Sequence, residues 1–302
     1  MTMTDLRVLQ RTLIVITLML GLTGCGSRAH KVYSSGHSIE LPAATLWNIE
    51  SFTAVNVALT GYGYDGDKLA LSMYSSSQSA AYAPPGVGLA GALIAGSIIG
   101  SVEVKKAQKE KNARVAQLLN SLTAIAWTDK ISTLTPISGD GQVVIQKGIA
   151  TPKHVVGNVL VLTPVLEITS NYMSLELHVL AQVWRAGKAQ KSSKPQYSNY
   201  FHIQSDSLWS GSESLTDIDQ KSPEDLAVYI NSLLFPVRAL VENDLKTLGQ
   251  PKSSPENIRF KNHMGNYFEM GYLLAKTEDR VTFKSLRGEV KHYPAIIVES
   301  KN

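Results

Sequence analysis

The chain has 302 residues, of which 44% are hydrophobic and 18% are charged, and this composition excludes an intrinsically disordered protein. The 29 basic and 25 acidic side chains leave a net charge of +4, which is too small for a nucleic-acid-binding protein that neutralises phosphates over a basic face. The single cysteine excludes a disulfide framework and any CxxC metal or redox site.

The N-terminus has the features of a cleavable signal peptide. Arg7 and Arg11 precede an uncharged stretch over residues 12–22, which runs into the sequence Leu-Thr-Gly-Cys. A helix of about eleven apolar residues reaches roughly half of a bilayer's ~30 Å hydrocarbon core, so this stretch is too short for a permanent anchor. Residues 1–24 are therefore predicted to be removed from the mature protein.

The residues Leu22-Thr23-Gly24-Cys25 resemble the lipobox of bacterial lipoproteins. The resemblance implies cleavage between Gly24 and Cys25 and a covalent lipid on Cys25, and no other cofactor is expected. It also implies attachment to the periplasmic face of the outer membrane, because Gly26 rather than an acidic residue follows the cysteine. Residues 25–38 would then be the lipidated N-terminus and a flexible tether, since they contain little to bury.

Residues 39–250 are predicted to form an α+β body. From Ser38 to Tyr74 apolar and polar side chains alternate, which is typical of a β-hairpin. The stretch Asp65-Gly66-Asp67 is interpreted as the turn rather than as part of a calcium loop, because the distal glutamate of such a loop is missing.

A glycine-rich apolar segment follows over residues 86–102. It has no charged side chain and resembles a glycine zipper in outline, with glycines at Gly86, Gly88, Gly91, Gly96 and Gly100. Small residues spaced by four place a flat groove along one side of a helix and let another backbone approach closely. We expect these glycines to contact the membrane or another helix; a buried helix or a loop within the body is the alternative.

Residues 103–125 predict an amphipathic helix. Apolar side chains recur every three or four residues from Ala113 to Leu122, and basic side chains cluster between Lys105 and Arg114. The basic cluster is expected either to face solvent or to rest on anionic lipid headgroups.

Three strands of an antiparallel meander are predicted next, over 159–169, 175–183 and 197–204. Pro164 within the first of them indicates an edge position or a bulge. A long amphipathic helix then begins at Ser222-Pro223 and ends before Gly249, and Pro236 is expected to kink it.

The last segment, residues 251–302, predicts a small β unit of short strands docked on the body. The predicted fold class is therefore α+β: an antiparallel β meander packed with two or three amphipathic helices, a small C-terminal β unit and the glycine-rich apolar helix.

The sequence contains no motif of a catalytic or metal site. No two of the seven histidines have an HxH or HxxxH spacing, and neither a GxSxG nucleophile motif nor a P-loop is present. We therefore expect no metal site and no enzymatic activity. His178 and His202 lie on adjacent predicted strands and could face each other, so a hydrolase that depends on either of them is the remaining catalytic hypothesis.

Two functions of different classes fit these features. The first is an outer-membrane lipoprotein that acts as a structural or assembly component of a cell-envelope complex, bound to the membrane by Cys25 and to protein partners or to further copies of itself. The alternative is a periplasmic ligand-binding or accessory module with no role in assembly. Nucleic acid is not an expected partner.

Overall fold

The computed structural model describes residues 33–34, 39, 42–53, 55–58, 98–134, 142–147, 157–185, 195–209, 213–248, 254–262 and 265–295. The predicted signal peptide, Cys25, most of the tether, the second half of the N-terminal hairpin and residues 86–97 of the glycine-rich segment lie outside these ranges.

Eleven strands in the described residues form one sheet. Their bounds are Tyr33–Ser34 (β1), Ala44–Asn48 (β2), Asn56–Val57 (β3), Gln142–Gln146 (β4), Asn158–Ile168 (β5), Leu175–Arg185 (β6), Tyr197–Gln204 (β7), Glu256–Asn262 (β8), Gly265–Lys276 (β9), Arg280–Ser285 (β10) and Val290–Pro294 (β11). In the sheet the strands follow the order β4-β2-β5-β6-β7-β11-β10-β9-β8, while β1 pairs with β7 and β3 pairs with β5.

The directions of the strands confirm the mixed α and β content and correct the predicted meander. Strands β5, β6 and β7 are antiparallel neighbours, as the alternation of their side chains predicts. However, β2 is parallel to both β4 and β5, and β11 is parallel to β7, so the sheet is mixed and dominates the fold. Parallel pairs join segments that are far apart in the chain, and local alternation carries no signal for them.

Pro164 lies in the interior strand β5 and not at an edge of the sheet or in a bulge. Strand β2 pairs with β5 only as far as Leu162, and β3 pairs with it from Glu167 onwards. Position 164 therefore falls between these two partner strands, where a residue that cannot donate a backbone hydrogen bond costs least.

The described residues contain six α-helices and a short 3-10 helix, Ile49–Thr53. The α-helices are Ile98–Ala113 (α1), Ala116–Thr123 (α2), Trp127–Leu134 (α3), Leu215–Asp219 (α4), Pro223–Leu234 (α5) and Val237–Lys246 (α6). Their apolar side chains form the main core with one face of the sheet. Leu118, Leu226 and Val241 from the helices belong to the same buried cluster as Leu177 and Val179 of β6.

The boundaries of the helices follow from their end residues. Ser222 caps α5 in a capping box with Asp225, and Pro236 separates α5 from α6, so the predicted start and kink are confirmed. The helix predicted over 103–125 is instead broken at Arg114 and Val115. There the chain tightens into hydrogen bonds to residues three positions earlier, and the Val115 side chain is fully buried in the core.

Strands β8–β11, which we call the C-terminal arm (residues 254–295), continue the sheet of the body. They are joined to it by the parallel pairing of Val290, Lys291 and His292 with β7. Gly271 of β9 allows a close approach to β10, because a Cβ atom at this position would lie 2.6 Å from the Lys284 carbonyl oxygen.

Within the described ranges, no helix has both the length and the hydropathy that a membrane-spanning segment requires.

Candidate functional site

Two histidines meet on the face of the sheet that carries no helices. His178 of β6 is paired directly with His202 of β7. Successive side chains of a strand point to opposite faces, and Leu177 and Val179, on either side of His178, pack in the helix-side core. The histidine pair therefore lies on the opposite face, and this confirms that the two rings face each other.

The two rings are in direct contact through the same ring nitrogen. The Nδ1 atoms of His178 and His202 are 2.7 Å apart, and the rings meet edge to face at 86°. Their side chains are only 7% and 13% exposed, whereas a histidine on a strand surface is usually solvated. In this contact one Nδ1 must be protonated and donate the hydrogen bond, and the other must be unprotonated and accept it.

Each ring presents its other nitrogen to a carboxylate. The Nε2 atom of His178 lies 3.5 Å from Glu167 and 4.0 Å from Glu176, and the Nε2 atom of His202 lies 3.8 Å from Glu289. The Nε2 atom of His202 is buried and has no hydrogen-bond partner. The carboxylates come from three different strands or turns, so only the folded sheet brings them together.

The charges around the pair act differently on the two rings. Burial alone would lower the pKa of His178, but the carboxylates of Glu176, Glu167 and Glu289 together raise it. Burial lowers the pKa of His202 well below its usual value, and the positive charges of His178 and Lys291 lower it further. This arrangement favours His178 as the donor and a neutral His202 as the acceptor.

The arm covers the histidine pair with a second set of polar groups. The Tyr293 hydroxyl donates to Oε1 of Glu176 at 3.0 Å. Lys291, which is paired with His202 across β7 and β11, donates to Glu269 at 2.6 Å and to the Tyr267 hydroxyl at 3.1 Å. Beside them lies an aromatic cluster that includes Phe260 and Phe283.

The cluster has the composition of a cation-binding or proton-holding site. Among the residues that the structure describes, Glu167, Glu176, Glu269 and Glu289 provide four carboxylates, and Lys291 provides one ammonium. Glu176, His178 and His202 each offer one ligand atom, and these atoms all lie within 4.8 Å of one another. Side chains of this type could hold a divalent metal ion, although metal ligands were not expected from the sequence.

A second surface lies at the rim of the sheet. Phe268 and Met270 of β9 are 61% and 41% exposed, and Arg259 of β8 stacks over the Phe268 ring at 5.1 Å. With Asn257 and Lys261, which alternate with Arg259 along β8, these residues form what we call the rim strip. Across β8 and β9, Asn257 is paired with Met270, Arg259 with Phe268, and Lys261 with Asn266.

The rim strip lies on the same side of the sheet as the helices. Tyr272 alternates with Met270 along β9 and is paired with Lys284, whose ammonium reaches Asp244 of α6. Helix α6 is the last helix in the described residues, and it packs near β7 and β10. Strands β8 and β9 lie beyond it in the sheet, so no helix of the described residues covers their helix-side face.

An open groove with a volume of about 520 Å³ lies where α1 bends into α2. It is lined by residues such as Gln108, Asn112 and Leu119. Gln108 and Asn112 are already hydrogen-bonded to Val57 and to each other, and the groove contains no cluster of titratable groups.

The structure describes few of the site residues predicted from sequence. Gly24, Cys25, Gly86, Gly88, Gly91 and Gly96 lie outside the described residues, while Gly100 belongs to α1. The metal-ligand candidate Glu176 was missed, although its signal is present in the sequence. Glu176 and His178 are two residues apart on a strand, a spacing that places both side chains on one face beside His202.

No protein-family model, no curated protein and no solved structure matches this chain.

Proposed function

We propose that the protein is a lipid-anchored component of the cell envelope that works by binding another protein and not by catalysis. Cys25 would hold it at the periplasmic face of the outer membrane, and the rim strip would be its partner-binding surface. The observation that carries this proposal is the exposure of Phe268 and Met270 beside Arg259 on one face of the C-terminal arm.

The position of the rim strip supports a binding role. A large aromatic side chain gains little from the fold when more than half of it stays in water, and exposed apolar groups rimmed by polar side chains are typical of protein interfaces. Aromatic, methionine and arginine side chains are also the types that are enriched there. Phe268, Met270 and Arg259 supply one of each.

The chemistry of the rim strip indicates the kind of partner. Arg259 and Lys261 form no salt bridge with an acidic side chain of the described residues, and both lie on the same face as the two apolar side chains. We therefore expect a protein surface that presents an apolar pocket flanked by carboxylates. Strand β8 is an edge strand and carries several charged residues, which disfavours a partner that pairs its own strand with this edge. We therefore expect the partner to contact the side chains on the face of the sheet.

The ligand-binding module remains the second candidate, and the groove at the bend between α1 and α2 is the observation that favours it. Its volume of about 520 Å³ lies within the range of small-molecule pockets. The groove is open, however, and its central amides already bind the backbone of β3.

The proposal is tested by site-specific photo-crosslinking in cells. A photoreactive amino acid at position 268 should give a discrete crosslinked protein adduct. The matched control carries the same amino acid at position 235, because Phe235 is also a highly exposed phenylalanine but lies on the helical layer. An adduct at 268 and none at 235 supports the proposal.

Two results would contradict it. Crosslinking of position 268 to lipid alone would mean that the rim strip rests on the membrane and binds no protein. Equal labelling at 268 and 235 would mean that neither position is in a specific interface.

A further inference from the structure

We propose that Glu176, His178 and His202 form a binding site for one divalent transition-metal ion, with zinc as the best-fitting member of the class. The ligands would be the Nδ1 atoms of the two histidines and a carboxylate oxygen of Glu176. This inference is independent of the rim strip and of the proposed function.

The three groups are already gathered in the folded protein. One ring nitrogen of each histidine and a carboxylate oxygen of Glu176 lie within 4.8 Å of one another, and the two Nδ1 atoms are 2.7 Å apart. Two nitrogens on a tetrahedral zinc, each about 2.0–2.1 Å from the metal, are separated by roughly 3.3 Å. The two rings would therefore have to separate by less than about 1 Å, a distance that side-chain torsions can supply.

The surroundings of the histidines support metal binding over simple packing. A metal-bound histidine commonly directs its second nitrogen at a carboxylate, which orients the ring and raises its basicity. Both rings have such a carboxylate: Glu167 lies 3.5 Å from Nε2 of His178, and Glu289 lies 3.8 Å from Nε2 of His202. The buried Nε2 atom of His202 has no hydrogen-bond partner, and it would gain one if the ring moved toward Glu289.

The third ligand is positioned in the same way. Oε1 of Glu176 accepts a hydrogen bond from the Tyr293 hydroxyl, while Oε2 lies 4.0 Å from Nε2 of His178 and would have to turn toward the Nδ1 side of the ring to reach the metal. A carboxylate that is held by one oxygen needs little reorganisation to bind a metal through the other.

The local charge favours a dication. In the described part of the chain, four carboxylates surround the pair, whereas one ammonium, that of Lys291, lies near it and is itself paired with Glu269. These carboxylates are only 17–27% exposed, and an excess of negative charge that is largely removed from water is costly without compensation. A mixed set of imidazole and carboxylate ligands is typical of zinc and its neighbours among the transition metals, while calcium and magnesium prefer oxygen ligands alone.

The test measures zinc binding to the full chain, purified without a polyhistidine tag and stripped with a chelator. We expect one zinc ion per chain, with X-ray absorption showing two imidazole rings and oxygen ligands. Replacing a ligand, as in His178→Ala, His202→Gln or Glu176→Ala, should weaken binding more than about 100-fold. Glu167→Gln and Glu289→Gln should weaken it by about 10–100-fold, because these residues position the rings.

His292→Ala is the matched control, since His292 is another partly buried histidine of the same sheet but lies outside the cluster. It should leave the stoichiometry and the affinity unchanged. Circular dichroism shows whether each variant is folded. If every ligand variant unfolds, the X-ray absorption spectrum of the zinc-loaded parent protein still shows whether imidazole rings bind the ion.

The proposal is overturned if the folded parent chain binds no zinc, if His202→Gln binds it as tightly as the parent does, or if the bound ion has no imidazole ligand.

Discussion

The ammonium of Lys284 lies 2.5 Å from the carboxylate of Asp244, so that an ion pair joins the C-terminal arm to helix α6. Asp244 is only 3% exposed, and it also accepts hydrogen bonds from the Tyr197 hydroxyl at 2.5 Å and the Asn199 amide at 2.8 Å. One buried carboxylate thus connects the helical layer, strand β7 and strand β10. Burial and the neighbouring Asp244 hold the pKa of Tyr197 well above its usual value, so the phenol stays a donor.

Asp244→Ala should be one of the most destabilising single substitutions where helix α6 meets the C-terminal arm. It leaves the ammonium of Lys284 and the Tyr197 hydroxyl without their acceptor and removes one of the two acceptors of the Asn199 amide. We expect a loss of about 3–5 kcal/mol in the free energy of unfolding. Chemical denaturation measures this loss. Asp225→Ala, which removes an exposed member of the α5 capping box, should lower the free energy of unfolding much less. Similar losses in both variants would mean that Asp244 is not a connecting residue.

Gly271→Ala should loosen the arm because the added methyl group would meet the Lys284 carbonyl oxygen at 2.6 Å. Neither the new Cβ atom nor the carbonyl oxygen can move without its strand, so β9 or β10 has to shift. We expect a loss of about 1–3 kcal/mol in the free energy of unfolding. Hydrogen exchange should speed up at the amides of β9 and β10 more than at those of β6. Leu273→Ala, at a partly exposed position of the same strand, should change the exchange little. An equal increase in the exchange rate throughout the sheet after Gly271→Ala would argue against a local clash.

His292 should make the fold sensitive to mild acid. Burial lowers its pKa to about 4, and the charge of Arg280 acts in the same direction. Between pH 6.5 and about 4 the unfolded chain therefore binds more protons at this position than the folded chain does, so its contribution reduces stability as the pH falls. We expect about 2 kcal/mol in total after allowance for solvent screening.

Urea unfolding of the parent and of His292→Gln at pH 7 and pH 4.5 measures this contribution. The glutamine can keep a hydrogen bond to the Thr282 hydroxyl, which His292 binds at 2.7 Å, but does not titrate in this range. The difference in stability between the two proteins should shift in favour of the variant at the lower pH. A constant difference would show that His292 titrates normally.

The parts of this fold that could be predicted from sequence depend on neighbours in the chain. Ser222 and Pro236 set the ends of α5 through local hydrogen bonding, and the alternation in β6 and β7 placed His178 opposite His202. The parallel pairing of β7 with β11 and the approach of Glu289 to His202 join residues nearly ninety positions apart, and no local pattern encodes them.

The break between α1 and α2 was also missed, for a different physical reason. Val115 leaves the helical course to be buried in the core, which overrides the good helix-forming propensity of its neighbours. The rim strip was missed because alternation along β8 and β9 predicts which side chains share a face, whereas the extent of the helical layer decides whether that face is covered.

If the rim strip holds the protein in an envelope complex, as we propose, the size of the species extracted gently from membranes should depend on it. Phe268→Glu combined with Met270→Glu should convert a discrete large complex into the lipid-anchored protein alone. Val228→Glu combined with Phe235→Glu, which changes two exposed apolar residues of α5 and its C-terminal end, should leave the complex intact. A parent protein that is extracted as a monomer, or a complex that survives the rim-strip substitutions, would show that the rim strip does not hold the protein in a complex.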